Sequence, residues 1–110
     1  MPTEMTQPAR PTAEAAAPLP DLILYGRDGC HLCDDTRELL AALLAQRTEA
    51  GLAVPRLVER DIAGNPEWER AFLTTIPVVE LAGTRVDLAT SGARLRRLLD
   101  EALGAVPAPA

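Results

Sequence analysis

Residues 22–36 read LILYGRDGCHLCDDT. The first five form a short apolar run that stops at Gly26, the pattern of a buried strand. From Leu32 onward the apolar period lengthens. Leu32, Leu39, Leu40, Leu43 and Leu44 fall on one helical face, and Gly51 ends that stretch. The join between the two patterns holds both cysteines and the only histidine of the chain, as Cys30-His31-Leu32-Cys33. Cys30 therefore sits at or just before the first turn of a helix, with Cys33 one turn later. Residues spaced i and i+3 on a helix are neighbours, so the two Cα atoms fall about 5–6 Å apart, within disulfide range. The unpaired N–H groups and positive end of the helix favour the Cys30 thiolate over the thiol. Arg27 adds to this effect. Asp28, Asp34 and Asp35 oppose it, while Asp34 and Asp35 also stabilise the helix start.

Outward from this point the pattern keeps alternating. PRLVERD (55–61) reads as a second strand. NPEWERAF (65–72) starts a helix, with Asn65 as cap, Pro66 at the first helical position and Glu67 at the positive end. PVVELAGTRVDLA (77–89) reads as two strands joined in a hairpin at Ala82-Gly83. Ser91 caps a last helix with Leu95, Leu98, Leu99 and Leu103 on one face. The order is β-α-β-α-β-β-α. A β-α-β unit implies a parallel pair with a right-handed crossover, and the hairpin adds antiparallel strands. The expected architecture is α/β: a mixed four-stranded sheet with three helices, on both its faces.

The folded unit is expected to span 21–103. Residues 1–20 carry five prolines and no hydrophobic period, and read as a disordered tail. GAVPAPA (104–110) reads as a short flexible end. With 110 residues there is room for one domain of modest core. The net charge is −5, and all eleven cations are arginines, without a basic stripe, which argues against a nucleic-acid partner. No run reaches the ~18–20 apolar residues needed to cross a bilayer. The N-terminal stretch lacks the apolar segment of a signal peptide. A cytoplasmic location is expected, where a cysteine pair more often does chemistry than staples a fold. The alanine-, arginine- and proline-rich composition without lysine suits a GC-rich bacterial genome.

The cysteine pair has three readings. The two can be inert core residues. They can form a redox couple. They can also bind metal. A closed zinc site needs four ligands, and only Cys30, Cys33 and His31 are at hand, with His31 about 100° round the helix from Cys30. Copper(I) needs two thiolates alone. His31 is either solvated or a stabiliser of the Cys30 thiolate that makes the pair more oxidising. Pro77, before a strand in TTIPVV, either stops the second helix or forms a cis bond with Ile76. Trp68 and Phe72 read as core or rim residues, and Arg94, Arg96 and Arg97 as a solvated surface.

LYGRDGCHLC (24–33), then TTIPVVELAG (74–83) some forty residues later, then a final helix, together resemble the glutaredoxin family of the thioredoxin fold, and within it small bacterial glutaredoxin-like proteins. The resemblance covers nearly all of 21–103. It implies that Cys30 is the nucleophile and Cys33 the resolving cysteine. It implies that Pro77 is cis and opposite the pair, that Ile76 offers its backbone to the substrate, and that Arg27 assists with glutathione. Thr75, His31, Ser91 and Gly92 complete the candidate site as modulators. Two departures stand out. His31-Leu32 replaces the family's Pro-Tyr, and RVDLATSG (85–92) replaces a stretch whose glycine pair holds the γ-glutamyl end of glutathione. The expected activity is thiol–disulfide exchange on a protein or small-molecule disulfide. The expected reductant is glutathione or a thioredoxin-type system. No organic cofactor or metal is needed, glutathione is a candidate co-substrate, and a monomer is expected. A copper(I) or other metal carrier and a non-catalytic interaction module are the rival readings.

Overall fold

The structure is a computed structural model that describes residues 18–105. The expected tails lie outside the described residues, apart from 18–20 and 104–105. The elements are β1 (Leu22–Gly26), α1 (His31–Glu49), β2 (Leu57–Asp61), a 3-10 turn (Ile62–Gly64), α2 (Pro66–Phe72), β3 (Val78–Leu81), β4 (Thr84–Val86) and α3 (Gly92–Leu103). The sheet order is β2-β1-β3-β4. β1 runs parallel to β2 and antiparallel to β3, and β3 and β4 form the hairpin. This is the expected thioredoxin-like arrangement.

Strand alternation sends β1 into two cores at once. Leu22 and Leu24 join Leu40 and Leu43 of α1, Val79 and Leu81 of β3, and Leu95, Leu98 and Leu99 of α3. On the other face Tyr25 packs with Ile62, Phe72 and Val78, with Ile23, Trp68 and Ile76 against them. So α1 and α3 cover one face and α2 the other. Each fully buried leucine contributes about 2 kcal/mol of transfer free energy.

The caps follow the residues. Asn65 Oδ1 accepts from the N–H groups of Glu67 (2.9 Å) and Trp68 (3.3 Å), ahead of Pro66. Ser91 Oγ accepts from Arg94 N–H at 3.2 Å. Ala82 and Gly83 both have positive φ, 51° and 83°, as a two-residue hairpin turn requires.

Three readings need correction. β2 begins at Leu57 and not at Pro55, because a proline has no N–H to give a ladder. β4 ends at Val86, since Leu88 takes a left-handed φ of 48° that leaves strand geometry. Leu32 is 48% exposed and does not share the buried face of α1, whose buried stripe runs through Cys33, Thr36, Leu40, Leu43 and Arg47. Leu32 lies beside that stripe, in the first turn.

Arg47 is a charged member of that stripe, at 4% exposure. Its guanidinium donates to Ala53 O (2.6 Å), Asp100 Oδ1 (3.0 Å) and Gly104 O (2.8 Å). It joins the end of α1, the loop to β2 and the end of α3.

Candidate active site

Cys30 is the N-cap of α1, with extended backbone at φ −100°, ψ 105°. Its Sγ accepts from the N–H of Cys33 at 3.1 Å. Sulfur here takes the place that a serine or aspartate oxygen takes at most helix starts. The two cysteines are joined as a disulfide, with Cα atoms 5.2 Å apart. They are unequal: Cys33 is fully buried, whereas Cys30 is part-exposed. A partner from solution reaches Cys30 alone.

The end of β1 makes room for Cys33. A Cβ on Gly26 would stand 3.1 Å from Cys33 Sγ and 3.3 Å from its Cβ, so a larger residue there would make Cys33 give by a few tenths of an ångström. Gly26→Ala is expected to crowd the sulfur most when the disulfide fixes it, and less when the reduced thiol is free to turn away. If the oxidised form loses about 1 kcal/mol more than the reduced form, the reduction potential becomes less negative by ~20 mV. Equilibration in glutathione buffers, read by thiol alkylation, measures this. An unchanged potential would show that Cys33 is not held against the strand end.

Ile76–Pro77 is a cis peptide bond and Pro77 is fully buried. Thr75 N–H and Ile76 N–H both donate to Phe72 O, at 2.9 and 3.0 Å. Leu88 N–H donates to Thr75 O (2.9 Å) and Ala89 N–H to Pro77 O (2.8 Å). The buried Thr36 hydroxyl, three residues beyond Cys33, donates to Ala89 O at 2.7 Å. These bonds tie the cysteine helix to Leu88–Ala89, and that segment to Thr75 and Pro77. The sequence reading missed Gly26, Thr36, Leu88 and Ala89 as parts of the site. Thr36 carried a signal: a polar residue in an apolar helical stripe, one turn from a cysteine.

The remaining candidates are spread around this centre. His31 and Leu32 are exposed on the first turn of α1. Arg27 is exposed on the rim of a cleft of about 150 Å³ shared with Arg37, Glu59 and Asp61. Arg37 donates to Asp34 and Glu59, both at 2.8 Å, and these hydrogen bonds raise its pKa above the ordinary value. Ser91 spends its hydroxyl on the α3 cap, and Gly92 opens that helix. Asp28, Asp34 and Asp35 are exposed. Exposed charges act through water and are screened by salt, whereas the Cys33 N–H acts directly on the sulfur at 3.1 Å.

Among the described residues no group of three or more His, Cys, Asp or Glu side chains is placed to hold a metal ion. Among them, too, no helix is long and apolar enough to cross a membrane.

A family model described as a glutaredoxin-like domain (DUF836) matches residues 21–102. The X-ray structure of Northeast Structural Genomics target protein XcR50 from X. campestris is similar, with 33% identity and a TM-score of 0.60, over 74% of this chain and 97% of that one. The solution structure of the same target gives 32% identity and a TM-score of 0.60, over 77% and 99%. No curated protein matches. With the family match spanning most of the chain and a disulfide-linked C-x-x-C capping α1, the protein belongs to the glutaredoxin-like domain family.

Proposed function

We propose that the protein is a thiol–disulfide oxidoreductase that reduces protein or small-molecule disulfides. The observation that carries this reading is the part-exposed Cys30 Sγ accepting the Cys33 N–H at the start of α1, above a fully buried Cys33. An acceptor bond and the positive helix end stabilise a thiolate, and burial keeps the second thiol protonated and in reserve.

In the reduced protein the Cys30 thiolate attacks one sulfur of the substrate disulfide. A Cys30–substrate disulfide forms, the substrate S–S bond breaks, and the other substrate sulfur leaves as a thiolate. Cys33 then loses its proton and attacks Cys30 Sγ. The Cys30–Cys33 bond closes and the second substrate thiol leaves with a proton. The substrate gains two electrons and the protein loses two. A thiol reductant, glutathione or a thioredoxin-type system, restores the dithiol. Ile76, its N–H already given to Phe72 O, supplies its backbone carbonyl to an extended substrate, and Arg27 supplies a cation for a substrate carboxylate. The site works in the cytoplasm, on a monomer, without a bound cofactor.

In the reduced protein, alkylation of Cys30 is expected to titrate with a midpoint below the ordinary thiol value of ~8.5, and Cys33 to react far more slowly. The rate of iodoacetamide labelling against pH, with each site read by mass spectrometry, checks it. Equal reactivity of the two thiols, or a midpoint at or above the ordinary value, would sink the assignment. Copper(I) retained by protein purified under reducing conditions, with no turnover of any disulfide, would point to a metal carrier instead.

A further inference from the structure

Resting on the oxidoreductase reading, we infer that Leu88 is a specificity-determining residue that selects disulfides carrying an apolar side chain next to the reacting cysteine. The substrate class is thus a peptide or protein disulfide with an apolar flank.

Leu88 combines two costs. Its φ of 48° is left-handed, a conformation that an L-residue other than glycine adopts at about 1–2 kcal/mol. Its side chain is also 51% exposed, so the strain is not exchanged for burial. The backbone enforces the geometry. Leu88 N–H is held by Thr75 O at 2.9 Å, Leu88 O accepts from Thr90 N–H at 2.7 Å, and Ala89 N–H is held by Pro77 O at 2.8 Å. Strain of this kind persists where the surroundings over-determine it, and it clusters at functional sites.

The hydrogen bonds place the Leu88–Ala89 backbone next to the cysteine helix. Leu88's neighbour Ala89 is bonded to Thr36, one helical turn from Cys33. Its own N–H is bonded to the residue before Ile76. The two carbonyls flanking Ile76, those of Thr75 and Pro77, are both taken up by Leu88–Ala89. A chain that reacts with Cys30 while lying along Ile76 therefore passes this segment. Between the two cysteines Leu32 is also exposed, at 48%. An apolar flanking residue gains contact with these leucines. A hydrophilic disulfide gains nothing from them.

The test uses pre-reduced protein in single turnover, so that no reductant competes. Second-order rate constants are measured with two matched peptide disulfides, one with Leu and one with Ser beside the cysteine. The wild type is expected to favour the Leu peptide about tenfold. Leu88→Gly relieves the left-handed strain, so its melting temperature does not fall. Leu88→Asn also tolerates that backbone and removes only the apolar side chain. Both variants are expected to cut the preference to about twofold, with the loss falling on the Leu peptide. A tenfold preference kept by either folded variant overturns the inference, as does a wild type that reacts equally with both peptides. A wild type that oxidises with neither peptide nor any small disulfide overturns the oxidoreductase reading itself, and this inference with it.

Discussion

Cys33→Ser is expected to reduce multiple turnover to background, at least a hundredfold below wild type, and to accumulate a substrate disulfide on Cys30. The argument begins with burial. Cys33 is fully enclosed against Gly26 and out of reach of any external disulfide. In the proposed dithiol route it serves only as the internal nucleophile that releases the substrate. Without it, release depends on a second molecule of thiol reaching the Cys30 adduct. Glutathione is poorly equipped to do this here. On the proposed reading Arg27 and the Ile76 backbone answer two of its groups, but RVDLATSG (85–92) stands where the resembled family has the glycine pair for the γ-glutamyl end. Each lost charge-assisted hydrogen bond costs about 1.5–3 kcal/mol, roughly ten- to a hundredfold in affinity. Intact-mass spectrometry after one turnover reads the adduct, and Cys30→Ser should show none. If Cys33→Ser keeps most of its activity against a glutathione mixed disulfide, the dithiol route is wrong.

The second large effect is on stability and lies far from the sulfurs. Arg47→Met is expected to lower unfolding free energy by about 3 kcal/mol, through loss of the three hydrogen bonds that a buried guanidinium makes to partly exposed acceptors. The Ala53 and Gly104 carbonyls and the Asp100 carboxylate would be left unpaired together. For a domain near 85 residues this corresponds to a fall of ~12–24 °C in Tm. Arg47→Lys should rescue little, because a point charge on a single stem cannot serve three acceptors that lie in different directions. Urea unfolding measures both variants. A loss under 1 kcal/mol for Arg47→Met would mean that water satisfies these acceptors without help.

The fold was legible where local chemistry and global architecture agree. Asn65-Pro66 can hardly be anything but a helix start, and Ala82-Gly83 lies between two apolar runs as a tight turn must. The apolar spacing of Leu40, Leu43, Leu95, Leu98 and Leu99 marks the residues that the larger core buries. Cys30 and Cys33 were legible for the same reason, since a helix start dictates both their separation and their inequality. What escaped depends on partners distant in sequence. Leu88 is left-handed because Thr75, thirteen positions earlier, holds its N–H, and no propensity encodes that. Thr36 matters through Ala89, 53 residues away. Leu32 matched the helical period, yet it lies beside the buried stripe, and periodicity alone does not tell where a helix runs out of neighbours.

Tyr25, Trp68 and Phe72 are the only aromatic residues of the chain, and all three lie in the smaller core. Tyr25 meets Trp68 edge-on at 5.8 Å and Phe72 at 4.4 Å, and Arg60 stacks 5.3 Å above the indole. The aromatic chromophores of the molecule are thus confined to the α2 side of the sheet. Intrinsic fluorescence and, once the Cys30–Cys33 disulfide is reduced, near-ultraviolet circular dichroism will report loosening of that layer and stay blind to the leucine core under α1 and α3. Far-ultraviolet dichroism, dominated by those two long helices, reports the opposite side. When the two signals are recorded in one melt, a gap between their midpoints measures whether the two faces of a single sheet come apart together.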